Sequence, residues 1–132
     1  MTLIVCLDQN DGILFNNRRQ TLDFELLKIV EKSFSDIHIS DFSQKYFSNI
    51  RCTVSENPFL SAVDNSAVFH ECGEALPYLD KIDKIVIYRW AKVYPADTYF
   101  DICPTESGFK LSGKIKFSTE VHKDIIKEIY KR

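Results

Sequence analysis

One segment constrains this chain more than any other. Residues 84–90 read Lys-Ile-Val-Ile-Tyr-Arg-Trp, and the Ile85-Val86-Ile87 centre is apolar without a break. Neighbouring side chains of a strand point to opposite faces, so this strand is apolar on both. That is the pattern of a central strand in a sheet covered on both sides. The sequence therefore predicts an α/β protein with a mixed, mostly parallel central sheet flanked by helices. With 132 residues, 45% of them hydrophobic, there is room for one such core, in a single domain over residues 1–132.

The other elements fall around that strand. Residues 3–7 (Leu-Ile-Val-Cys-Leu) predict a second buried strand, and Asp8-Gln9-Asn10-Asp11-Gly12 a turn. Thr21 is a candidate helix cap, with Asp23 and Glu25 in the first turn. Leu22, Leu26, Ile29 and Val30 at helical spacing predict a helix over 22–34. Short strands are expected at 36–40, 51–55 and 66–70, a short helix at 41–47, a loop at 56–65, and a short helix or turn at 73–79. Residues 109–118 alternate imperfectly. In the tail, Ile125, Ile126, Ile129 and Tyr130 fit a helical stripe or an edge strand equally well.

Composition removes several classes of function. Seventeen basic against nineteen acidic residues give a net charge of −2, without the basic excess of a phosphate-binding nucleic-acid protein, so no nucleic-acid partner is expected. Four glycines leave little for a phosphate-cradling loop. No apolar run approaches the roughly 20 residues of a membrane span, and the opening lacks the pattern of a signal peptide, so the expected address is the cytoplasm. Cys6, Cys52, Cys72 and Cys103 are widely spaced, which predicts reduced thiols and no metal site. His38, His70 and His122 are too scattered for the H-x-H-x-D-H cluster of a metallo-β-lactamase-type nuclease.

Several stretches resemble the dihydrofolate reductases. Lys84-Ile85-Val86-Ile87-Tyr88 followed by Ala96-Asp97-Thr98-Tyr99-Phe100 is similar to that family's late K-L-Y-L-T strand and G-D-T-x-F-P turn. The opening residues 3–13 look like its first strand and loop, Asp23-Phe24-Glu25-Leu26-Leu27-Lys28 resembles the start of its first helix, and residues 125–132 resemble its closing F-E-I-L-E-R strand. The opening also resembles that of a group of short, uncharacterised bacterial proteins, C-L-D-x-N-x-G-x-x-F-N-x-R-R-Q, which brings no activity with it. The resemblance implies a dihydrofolate reductase-like fold with a C-terminal β-hairpin, and tips the tail towards strand. It also implies that Asp23 matches the family's single buried acid, which binds and helps protonate the pterin. Tyr88 stands where the family has a threonine bonded to that acid. Asp23 also reads as an ordinary dipole or capping partner, the commoner role of a carboxylate in a first helical turn.

The departures bear on function. Glu71 and Cys72 stand where the family has the paired glycines that admit NADPH phosphates, and a carboxylate and a Cβ both oppose that approach. Residues 36–41 hold no G-R-x-[ST] phosphate motif, and Leu14 replaces the glycine of the first loop. No cofactor is therefore expected, and 132 residues is short for a working member of that family. Asp23 and Tyr88 are the candidate catalytic residues; Cys6, Asn17, Arg18, Arg19 and Trp90 are the candidate ligand-binding ones. Two guanidiniums before a helix start suit an anion, though paired surface arginines are also common in solvated loops. Trp90 with Tyr88 and Tyr94 suits a flat ring, or simply core. His70 and Cys72 should share one face with Glu71 on the other, too few for a metal site or a nucleophile–base pair. His122 lies in a polar turn and receives no role.

Three readings follow. The first is a ligand-binding or regulatory protein that has lost the NADPH site, with a pocket between Asp23, Tyr88, Cys6 and the arginines. The second is an enzyme using Asp23 in acid–base chemistry. The third is an interaction module pairing through a sheet edge, with itself as a homo-oligomer or with a partner.

Overall fold

The computed structural model describes residues 1–47 and 50–132. Its large sheet holds seven strands: β1 (Thr2–Leu7), β4 (Ile37–Ser40), β5 (Thr53–Ser55), β6 (Ala67–Phe69), β7 (Lys84–Arg89), β9 (Lys110–Phe117) and β10 (Ile125–Lys131). Their order is β5-β4-β6-β1-β7-β10-β9. The first five run parallel, and β10 is antiparallel to both neighbours. β7 is central as predicted, with Cys6 opposite Tyr88 on one side and Lys127 opposite it on the other. A three-stranded sheet, β3 (Arg18–Arg19), β2 (Gly12–Phe15) and β8 (Thr98–Tyr99), packs beside it.

Alternation builds two cores. Leu3, Val5 and Leu7 of β1 join Ile85 and Ile87 of β7, with Phe59, Phe100 and Phe109. Ile4, Val86 and Tyr88 face the other way, against helix α1 (Phe24–Ser33). The buried stripe of α1 is Leu26, Leu27 and Val30. Leu22, expected in that stripe, is exposed and precedes the helix. The helix starts later than expected because Asp23, not Thr21, is its cap: Asp23 Oδ1 accepts from the Leu26 amide at 3.0 Å.

The tail is strand, and β9–β10 form an antiparallel hairpin pair. Two further elements differ from expectation. Asn16 and Asn17 have φ of 52° and 58° and turn Phe15 onto Arg18, a two-residue hairpin loop of type I′ character. Arg18 and Arg19 are therefore strand, not a loop leading into a helix. Residues 56–65 contain a short helix, α2 (Pro58–Ser61), because Asn57 caps the Phe59 amide at 3.1 Å and Pro58 preorganises the first turn.

The turn after β1 is tied by Asp8, whose buried carboxylate accepts from the amides of Asn10, Gly12 and Tyr94 and from Gln20 Nε2. Burial alone would raise this carboxyl; the Tyr94, Gly12 and Asn10 amides and the Gln20 side chain outweigh it and hold Asp8 below the usual carboxylate range. Among the described residues, no helix is long and apolar enough to cross a membrane.

Candidate functional site

The C-terminal ends of β1, β6 and β7 bring Cys6, Glu71 and Trp90 to one end of the sheet, beside the start of α1. Open parallel sheets commonly bind ligands at this end. Here the centre is filled. Arg19 Nε and Nη2 each lie 2.9 Å from Glu71, a bidentate pair. Ser43 Oγ donates to the same carboxylate at 2.7 Å. The guanidinium lies 4.3 Å from the centroid of the Tyr46 ring. Burial would lower the Arg19 pKa, but its bonds and charge attraction to Glu71 raise it. The space left between Cys6, Arg19, Tyr46 and Glu71 is about 20 Å³, roughly the room of one water molecule.

The expected pocket residues take different places. Arg19 is committed to Glu71, while Asn17 and Arg18 are exposed on the hairpin. Trp90 is buried, its ring stacked on His122 at 4.4 Å. Burial pushes the Cys6 thiol well up, and the Glu71 and Asp23 charges add to that, so it is a poor nucleophile. The Tyr88 hydroxyl does not reach Asp23. It is buried without a hydrogen bond, and its ring packs edge-on against Phe117 at 6.2 Å.

Asp23 is fully buried and has other partners. Thr119 Oγ1 donates to its Oδ2 at 2.5 Å, and His122 Nδ1 lies 2.7 Å from the same oxygen. His122 Nε2 is 2.9 Å from Thr21 Oγ1. Sequence reasoning left His122 without a role. Its partner Asp23 lies 99 positions away, and nothing local in Glu120-Val121-His122 marks the contact.

His70 and Glu71 do diverge as strand geometry requires. His70 packs near Phe59 and Phe100, at 5.6 and 6.2 Å, and its Nε2 has no partner. Burial pushes its pKa down to about 4, against a small opposing pull from Asp101. Cys72 Sγ meets Ser40 Oγ at 3.5 Å. Among the described residues, no group of three or more metal-ligating side chains converges.

An open cleft of about 880 Å³ lies beside this filled centre. Ser40 and Ser55, at the ends of β4 and β5, form one wall, and Cys72 and Gly73 another. Gly73 has φ of +79°, a backbone state that favours glycine. Phe59 and Tyr78 stack at 4.7 Å, nearly parallel, and Asn57 Nδ2 donates to the Tyr78 hydroxyl at 2.6 Å. The charged residues of the lining are Glu56 and Glu74; among its described residues there is no lysine, arginine or histidine.

No protein-family model matches the sequence, and no curated protein matches it. Among solved structures, the fold is similar to that of a dihydrofolate reductase from Enterococcus faecalis complexed with NADP(H) and RAB-propyl. The two superpose with a TM-score of 0.67 at 12% identity, over 100% of this chain and 96% of that one. The protein therefore has a dihydrofolate reductase-like α/β fold. At that identity the likeness speaks for the fold alone.

Proposed function

We propose that this protein binds a small, non-phosphorylated ligand in the open cleft at the ends of β4, β5 and β6, and does not act as an NADPH-dependent reductase. One contrast carries the reading. The place beside Asp23 where the resembled reductases hold pterin is packed with Arg19, Tyr46 and Glu71, leaving about 20 Å³, whereas the neighbouring cleft keeps about 880 Å³. Binding sites for small molecules commonly run to some 300–1,000 Å³.

The chemistry of the cleft selects its ligand. Two carboxylates and, among the described residues of the lining, no cation repel phosphate and favour a neutral or cationic molecule. Ser40, Ser55, Glu56 and Glu74 suit hydroxyl or amine groups, and the Phe59–Tyr78 stack offers an apolar floor. Titration calorimetry with adenosine, its monophosphate and NADPH tests this. The uncharged nucleoside should bind at least about tenfold tighter than its monophosphate, a gap of about 1.4 kcal/mol. NADPH should show no saturable heat. Tight NADPH binding, or preference for the phosphorylated ligand, overturns the reading.

A further inference from the structure

We propose that Thr21, His122 and Asp23 form a nucleophile–base–acid triad that cleaves esters or thioesters of apolar acyl groups. The contacts assign the roles for a neutral imidazole. His122 Nδ1 lies 2.7 Å from Asp23 Oδ2, and with Nδ1–H donating to that carboxylate the lone pair is on Nε2. The Thr21 hydroxyl, 2.9 Å away, then donates to that nitrogen. A nucleophile in contact with a base, and the base oriented by a buried acid, is the arrangement that hydrolases on unrelated folds share.

The surroundings hold the three in place. Asp23 is further fixed by the Leu26 amide and by Thr119, whose hydroxyl also accepts from the His122 amide at 3.0 Å. Trp90 covers one face of the imidazole, and its π-face favours the cation formed when the ring takes a proton. Asp23 receives its three side-chain hydrogen bonds from Leu26, Thr119 and His122, none of them from Thr21. Thr21 instead forms the outer, half-exposed end of the chain. Leu22, Phe24 and Val121, adjacent in sequence to the three members, are 47, 57 and 62% exposed. An acyl chain lying over Thr21 would cover that apolar surface.

The reaction balances with water as co-reactant. Thr21 Oγ1 bonds to the acyl carbon and its proton passes to His122 Nε2. The bond to the leaving alcohol or thiol breaks, and that group takes the proton from His122. Water, deprotonated by His122, then attacks the threonyl ester, the acid departs, and the proton returns to Thr21.

The test uses the full chain with p-nitrophenyl butyrate, followed by absorbance and by mass spectrometry after acid quench. Turnover should exceed the spontaneous rate, with one butyryl group on Thr21. Thr21→Val and His122→Gln should each lose about 100-fold or more, while Thr21→Ser keeps turnover and carries the label at the same position. Melting curves followed by Trp90 fluorescence check folding. If Thr21→Val does not fold, Thr21→Ser and the label position still decide. No turnover above background, full turnover in a folded Thr21→Val, or label only on other residues overturns the proposal.

Discussion

Replacing Arg19 with methionine should destabilise this protein far more than its partly exposed position suggests. Arg19 is 21% exposed and Glu71 only 8%, so the substitution leaves a nearly buried carboxylate with Ser43 as its remaining side-chain partner. Breaking a buried pair from one side costs about 3–5 kcal/mol. Solvent at the arginine end pulls the figure to the lower limit, while the lost contact with the Tyr46 ring returns about 0.5–1 kcal/mol. The expected loss is about 3.5–4 kcal/mol, a large share of the roughly 5–15 kcal/mol that holds a domain together. Urea unfolding can be followed through Trp90, which is 3% exposed and the sole tryptophan. With a slope of about 1–3 kcal/mol per molar for a small protein, the midpoint should fall by at least about 1 M. The double variant Arg19→Met/Glu71→Gln keeps an acceptor for Ser43 without a stranded charge. It should recover to within about 1 kcal/mol of the original. A single variant within about 0.5 kcal/mol of wild type, or a double variant as weak as the single, would refute this account of the filled centre.

Two other outcomes follow from buried groups. His70, held at about 4 when folded against 6.5 when free, binds fewer protons in the native state, so stability should fall as pH drops from about 6.5 to about 4. The loss amounts to about 3 kcal/mol; melts across that range should show a shallower slope for His70→Phe, and identical slopes would contradict the assignment. A Cβ on Gly12 would lie 2.7 Å from the Ala96 Cβ and 2.8 Å from Gln20 Nε2, which is bonded to Asp8. Gly12→Ala should therefore cost about 1–3 kcal/mol in urea unfolding, and Ala96→Gly in the same chain should restore part of it; no loss would mean that the turn yields freely.

What could be read in advance depended on whether the signal was local. β1 and β7 were legible because strands buried on both faces must be almost continuously apolar. The tail was not, because Ile125, Ile126, Ile129 and Tyr130 satisfy both the helical and the strand period, and similarity to another family had to decide. Asn16-Asn17 carried a usable signal, since asparagine tolerates positive φ, but two arginines do not look like a strand. In the site, Asp23 was found by its position, while its partners were not. Thr119 and His122 reach it only through the hairpin that joins β9 to β10, and no spacing rule spans that distance. For Tyr88 the resemblance supplied Asp23 as a partner, whereas its hydroxyl is buried without a hydrogen bond.

The order of the large sheet also bears on how the chain is made. β1 is made well before its partners, which start at Ala67 and Lys84, and the hairpin that reaches Asp23 follows them. Pairing between such distant segments slows folding, because long loops must close before contacts compensate. On the ribosome, α1 can seat on β1, β6 and β7 through Leu26, Leu27 and Val30, but the Asp23 carboxylate lacks its Thr119 and His122 partners until the hairpin emerges. The β9–β10 hairpin thus completes the partners of Asp23 late, and a nascent chain stalled ahead of it should depend more on chaperones than one stalled after it.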